Sequence, residues 1–210
     1  MNILILSGSP RKGGNTELLA EAFAKGAAAH HHVEIVSVRD YKVNPCLGCN
    51  ACFKTNGRSS ESYPSSLEDG RVVTDEGEAN GICAQKDDMA IIYDKMDRAD
   101  MLVIASPVYF YGISAQLKAV IDRFHNPIRD SFYIKKMALL LVGAASLPEL
   151  FDAILTEYNL CLKFFAKQSG KAERFNIEDA GKVLARGIKD KGDIKGTSFL
   201  EKAYQLGTSI

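Results

Sequence analysis

Hydrophobic positions fall along the chain in two alternating rhythms. Short unbroken apolar runs, closed by glycine, serine or proline, read as buried strands. The first is Asn2 to Ser7, stopped by Gly8-Ser9-Pro10. Val33 to Val38 is rich in β-branched residues and reads as a second strand. Met101 to Ser106 is a third, Lys136 to Gly143 a fourth, and Lys171 to Ile177 a fifth. Between them, apolar residues recur three and four apart, the pattern of a helix with one buried face. Asn15 to Ala28 follows Gly13-Gly14, with Asn15 or Thr16 as cap, and repeats Leu18, Leu19, Ala22 and Phe23. Asp87 or Asp88 caps a second helix running to about Arg98. Ser114 to Phe124 places Leu117, Val120, Ile121 and Phe124 on one face. Leu147 to Lys167 reads as a long helix, and the C-terminal tail is helical.

Strands that alternate with helices, each strand apolar throughout, predict an α/β protein of three layers: a parallel sheet covered on both faces. The chain has 210 residues, enough for one sizeable core and short for two. Five strands with this spacing suit the sheet order 2-1-3-4-5 within a single domain. In that order the winding reverses between the first and third strands, and ligands bind in the crevice beyond the carboxyl ends there. Functional residues are therefore expected after strands one, three and four. The stretch from Lys54 to Gly81 breaks the alternation; it is rich in Ser, Gly, Asp and Glu. We read this polar insertion, residues 54–81, as a lid or a contact arm.

Composition narrows the classes further. Hydrophobic residues make up 46% of the chain and charged ones 25%, ordinary for a water-soluble domain. Lys and Arg balance Asp and Glu, giving a formal net charge of zero. Nothing electrostatic points to nucleic acid or to an anionic membrane. No apolar run approaches the ~18 residues of a membrane span. The start of the chain lacks the basic lead and long apolar stretch of a secretory signal. The expected location is the cytoplasm.

The loop after the first strand, Ser7-Gly8-Ser9-Pro10-Arg11-Lys12-Gly13-Gly14-Asn15-Thr16, has the chemistry of a phosphate cradle. Glycines let the backbone approach, Ser9 and Thr16 offer hydroxyls, and Arg11 offers a charge-assisted pair. The helix start adds free N–H groups and a favourable dipole. Two common nucleotide motifs do not fit. Gly8 and Gly13 have P-loop separation, but Gly14 and Asn15 stand where Lys and Ser/Thr belong. The G-x-G-x-x-G pattern fails because Ser9 and Pro10 follow Gly8.

This loop, Gly8-Ser9-Pro10-Arg11 through Gly14-Asn15-Thr16, resembles that of the NAD(P)H-dependent FMN reductase and iron–sulfur flavoprotein group of the flavodoxin superfamily. The likeness continues at Pro45-Cys46-Leu47-Gly48-Cys49-Asn50-Ala51-Cys52 and at Cys83 with Lys86-Asp87-Asp88-Met89. It is strongest at Ala105-Ser106-Pro107-Val108-Tyr109-Phe110, Gly112 and Ser114 to Asp122-Arg123, and it covers roughly the first two thirds of the chain. The resemblance implies a flavodoxin-like fold with FMN held by three loops. Ser9, Arg11, Gly14, Asn15 and Thr16 would hold the phosphate. Pro107, Val108, Tyr109, Phe110 and Gly112 would line the isoalloxazine ring, with Ala145 and Ser146 from the loop after strand four. NAD(P)H would be the reductant, and a quinone, a metal centre or another flavin the acceptor. No side chain is singled out as an acid or base. The resemblance also implies a homodimer or homotetramer.

Cys46, Cys49 and Cys52 form C-x-x-C-x-x-C, a spacing able to bring three sulfurs to one metal. The resemblance implies a fourth ligand soon after, yet thirty residues, Phe53 to Ile82, precede Cys83. Three chemistries stay open for these cysteines: a [4Fe–4S] cluster, zinc, or free redox-active thiols. Cys161 shares a helical face with Leu160 and Phe164 and reads as core. His30, His31 and His32 read as a polar connector and His125 as a helix end. The rival to an NAD(P)H-driven reductase is an electron-transfer flavoprotein that relays electrons between redox partners.

Overall fold

A computed structural model describes residues 1–54, 81–165 and 177–210. Within them, β1 (Asn2–Ser7), β2 (His32–Ser37), β3 (Met101–Pro107), β4 (Lys136–Val142) and β5 (Glu178–Ala185) form one sheet. Its order is β2-β1-β3-β4-β5, and every neighbouring pair is parallel. The helices are α1 (Asn15–Ala27), α2 (Met89–Asp97), α3 (Ala115–Asp122), α4 (Asp152–Phe165) and α5 (Ser198–Thr208). This is the flavodoxin-like arrangement expected from the alternation.

Side chains on a strand point alternately to opposite faces, so one apolar run serves two layers. On one face Leu4, Leu6, Leu102, Ile104, Leu139 and Leu141 pack with residues of α2, α3 and α4. On the other, Ile3, Ile5, Met101, Val103, Leu140 and Val142 pack with residues of α1 and α5. The central strands are buried on both sides, which is why their sequences show no polar alternation.

The fifth strand differs from expectation. It lies at Glu178–Ala185; of the run Lys171 to Ile177, residues 171–176 lie outside the described residues. The cause is physical. β5 is an edge strand, mostly half-exposed, with Gly181 at φ +129° and a register shift opposite Met137 and Ala138. An edge strand has no need of a continuous apolar run, so apolarity alone passes over it. The long helix also starts later than read. Pro148–Phe151 form a 3-10 turn before α4, and Lys167 lies outside the described residues. Of the polar insertion at 54–81, only its two ends lie within the described residues. Among the described residues, no helix is long and apolar enough to cross a membrane.

Candidate functional site

All five strands end at the same edge of the sheet, and the loops leaving β1, β3, β4 and β5 surround an open cleft there. Ser9, Pro10, Arg11, Gly14, Asn15 and Thr16 line it from the first loop. Pro107, Val108 and Tyr109 line it from the loop after β3, Val142 and Ala144 from the end of β4, and Ile188 and Lys189 from the loop after β5.

The first loop is held rigidly from below. Gly8 donates its N–H to the Ala105 carbonyl at 2.8 Å, tying the loop to β3. There is no room for a side chain at Gly8; a Cβ would lie 2.5 Å from Ser114 Oγ and 2.8 Å from Leu117 Cβ. Ser9 Oγ donates to the Arg11 carbonyl at 3.0 Å, and Gly14 N–H donates to the same carbonyl at 3.1 Å. Glu17 anchors the loop from α1. Its carboxylate accepts from the Gly13 N–H and from Ser37 Oγ, and it pairs with Arg39 at 2.6 Å. Arg39 in turn donates to the Ser9 carbonyl at 3.2 Å. Burial raises the Glu17 carboxyl, but the Arg39 guanidinium and the Gly13 N–H outweigh it and hold its pKa below the usual 4.5.

Gly14 precedes α1 at the cap position, and no side chain caps the helix. The first N–H groups of a helix have no acceptor inside it. Thr16 is buried beside them and lines the cleft, and among the described residues the buried side-chain atom left without a hydrogen bond is Ser7 Oγ at the end of β1. Asn15 behaves otherwise. Its Nδ2 donates to the Asp190 carbonyl at 2.7 Å, and its Oδ1 accepts from Gly192 N–H at 2.8 Å and Ile194 N–H at 3.4 Å. The Asn15 side chain is thus committed to the loop after β5, and only its backbone faces the cleft. An anion at this end would meet the open helix terminus, the Thr16 hydroxyl and Arg11.

The other end is apolar. Val108 N–H bonds to the Val142 carbonyl at 2.8 Å, which fixes the β3 loop against β4. Tyr109 and Gly112 exchange both backbone hydrogen bonds, at 2.9 and 3.0 Å, closing a two-residue turn at Phe110-Tyr111. Both turn residues have positive φ, 47° and 65°, where glycine or asparagine is normal. Such backbone costs on the order of 1–3 kcal/mol per residue. Phe110 is 97% exposed at the tip. Gly112 closes the turn, and neither it nor Phe110 lines the cleft. After β4, Ala144 lines the cleft, whereas Ala145 packs toward the core and Ser146 is exposed beside Gly187.

Of the residues predicted here, Ser9, Arg11, Gly14, Asn15, Thr16, Pro107, Val108 and Tyr109 come together. Sequence reading missed Pro10, Val142, Ala144, Ile188 and Lys189. The last two were legible in principle. Gly187-Ile188-Lys189-Asp190-Lys191-Gly192 is a basic loop bracketed by glycines, but its strand had been placed too early.

Cys46, Cys49, Cys52 and Cys83 are not among the residues that line the cleft. Cys46 and Cys49 are exposed, Cys52 and Cys83 half-buried, and none of the four is in a disulfide. Gly81 N–H donates to the Cys52 carbonyl at 3.1 Å, so the chain returns to Cys52 across the whole insertion. Arg123 Nη2 donates to Cys83 Sγ at 3.2 Å, and Arg123 Nη1 pairs with the buried Asp87 at 2.9 Å. Asp87 also accepts from Asn44 N–H at 2.9 Å and from Met89 N–H at 3.2 Å. It therefore caps α2 as read and also ties the cysteine loop to Arg123. Burial pushes the Cys52 thiol up to about 11, and the neighbouring Cys83, Cys46 and Cys49 add to the rise. Even so, among the described residues no three His, Cys, Asp or Glu side chains converge on a metal position.

Comparison with known proteins agrees with this geometry. The family model of NADPH-dependent FMN reductases matches residues 1–148, which include the first three cleft loops. The chain belongs to the NADPH-dependent FMN reductase family. An iron–sulfur flavoprotein of Methanocaldococcus jannaschii is 36% identical over 69% of this chain, a match spanning 63% of that relative's length. An iron–sulfur flavoprotein of Archaeoglobus fulgidus is 31% identical over 100% of this chain and 79% of its own. Among solved structures, an FMN-dependent NADH-azoreductase from Bacillus anthracis, in complex with FMN, superposes with a TM-score of 0.58. It is 15% identical, over 100% of this chain and 97% of the other, and the likeness is one of fold. The family match ends at residue 148, and the β5 loop lies beyond it.

Proposed function

We propose that this chain is an FMN-binding oxidoreductase that takes reducing equivalents from NAD(P)H and passes them to a quinone-type or flavin acceptor. The observation that carries the reading is the polarity of the cleft. One end offers a helix terminus without a side-chain cap, the Thr16 hydroxyl and Arg11; the other offers Pro107, Val108, Tyr109 and Val142. A phosphate joined to a flat apolar ring has the same polarity. Gly14, the Thr16 hydroxyl, the first N–H groups of α1 and Arg11 would hold the phosphate. Ser9 shapes the turn through its bonds to Arg11, and Pro107 to Tyr109 would wall the ring. Gly112 would act through the strained turn that presents Tyr109, Phe110 and Tyr111, and Ala145 and Ser146 through the placement of Ala144. When bound, FMN supplies the redox chemistry, so the protein's part is to bind, orient and shield it. The exposed Phe110-Tyr111 tip supports self-association as a homodimer or homotetramer, and we place the protein in the cytoplasm.

A second reading has a specific observation behind it. The chain returns to Cys52 after the insertion and sets Cys83 beside Arg123. Together with relatives named iron–sulfur flavoproteins, this supports an electron relay that uses a [4Fe–4S] cluster on Cys46, Cys49, Cys52 and Cys83. The donor set fits by chemistry and the present spacing does not, so no electron path is drawn through it here. One experiment separates the readings. Protein purified without oxygen is assayed for iron, loaded with FMN and mixed with NADPH or NADH and a quinone. Sustained nicotinamide oxidation without iron supports the reductase. About four irons per chain, no nicotinamide turnover and fast reduction by a ferredoxin-type donor would establish the relay instead.

A further inference from the structure

The loop between β5 and α5 is built to hold a cation in the cleft, although it lies outside the segments that topology marks for ligand contact. It is stitched at both ends. On the near side, Gly187 N–H donates to the Ala145 carbonyl at 3.3 Å and Ile188 N–H to the Gly143 carbonyl at 3.0 Å, binding it to the loop after β4. Gly187 has φ +69°, and a Cβ there would lie 3.3 Å from Ser146 Oγ. On the far side, Asn15 makes its three hydrogen bonds to Asp190, Gly192 and Ile194. Asp193 closes the turn by accepting from the N–H groups of Lys189, at 3.2 Å, and Asp190, at 2.7 Å. Lys189 sits between the two anchors and lines the cleft with Arg11. No carboxylate pairs with the ammonium of Lys189 or the guanidinium of Arg11 among the described residues.

We propose that Lys189 is a second cationic ligand for the phosphate of the bound flavin nucleotide, and that Asn15 is the positioning residue that places it. This rests on the FMN reading above. A monoester phosphate carries close to two negative charges at neutral pH, and Arg11 supplies one positive charge from the first loop. A lysine on a flexible stem at the opposite rim would complete the neutralisation. The Asn15 side chain is accordingly spent on the loop and unavailable to the ligand.

The test compares FMN with riboflavin, which has the same ring and no phosphate. Dissociation constants are measured by flavin fluorescence quenching, at low and high salt, for the wild type, Lys189→Ala, Lys189→Arg and Asn15→Ala. Riboflavin binding reports the fold and the ring slot independently of the phosphate. The wild type is expected to prefer FMN. Lys189→Ala should cut that preference about tenfold, the scale of one charge-assisted hydrogen bond. It should also flatten the salt dependence of FMN binding, while riboflavin affinity stays the same. Lys189→Arg should restore the preference, and Asn15→Ala should lose it as Lys189→Ala does. An unchanged FMN-to-riboflavin ratio in Lys189→Ala overturns the inference while leaving the FMN reading intact. A wild type that binds neither flavin overturns both.

Discussion

Glu17 shows how much one side chain carries in this fold. Its carboxylate holds the Gly13 N–H of the cleft loop, Ser37 of β2, and Arg39, which itself holds the Ser9 carbonyl. Removing the charge leaves the half-buried Arg39 guanidinium with only the Ser9 carbonyl and the more distant, exposed Asp40 at 3.6 Å. Glu17→Gln is expected to lower unfolding stability by about 2 kcal/mol at neutral pH, as measured by urea titration. The pH dependence has a defined sign. The folded-state carboxyl titrates below its usual 4.5, so its contribution is full above that value and fades as the pH falls through the folded-state pKa. The variant and the wild type should therefore converge in acid; a gap that persists would place the effect elsewhere. The sequence announced the residue types of this loop but not their duties. Ser9, Arg11 and Thr16 sit where the pattern put them. Asn15, which the resemblance assigns to the phosphate, lines the cleft, and its side chain bonds a loop some 175 residues further along the chain. Local patterning identifies a helix start; only tertiary contacts decide which atoms remain free there.

At the level of elements, α1 and α5 meet through two glycines. A Cβ at Gly26 would overlap the Tyr204 carbonyl, and one at Gly207 would overlap the Phe23 carbonyl. Both glycines lie inside helices, where alanine is intrinsically better by about 1 kcal/mol. The close approach outweighs that gain because the obstacles are backbone atoms, which cannot rotate away. Gly207→Ala should therefore destabilise the protein, by roughly 1–3 kcal/mol, through forced separation of the two helices. A rise in stability would show that the helices have room to part. These glycines gave no signal in the sequence, since a helical glycine carries no mark of what lies across from it. The three inner strands, β1, β3 and β4, were legible for the opposite reason: burial on both faces leaves no polar position to break the run. β5 was not, because its edge position tolerates Glu178, Asp179 and Lys182 among its apolar residues. Misplacing that strand hid the loop that follows it, and with it Ile188 and Lys189.

For the molecule as a whole, the sheet order concentrates chemistry at one edge. The winding reverses between β1 and β3, and helices leave that crevice on opposite faces, so the α1 terminus and the β3 loop open onto shared space. The cleft that results is anion-seeking at one end and apolar at the other, and none of the four cysteines is among its lining residues. The central claim is that this cleft takes FMN. Its most direct test is a visible absorption spectrum of the purified full chain, before and after titration with FMN. The account predicts a resolved two-band flavin spectrum, with saturation at a single FMN per chain. A colourless protein that takes up no added FMN would contradict it.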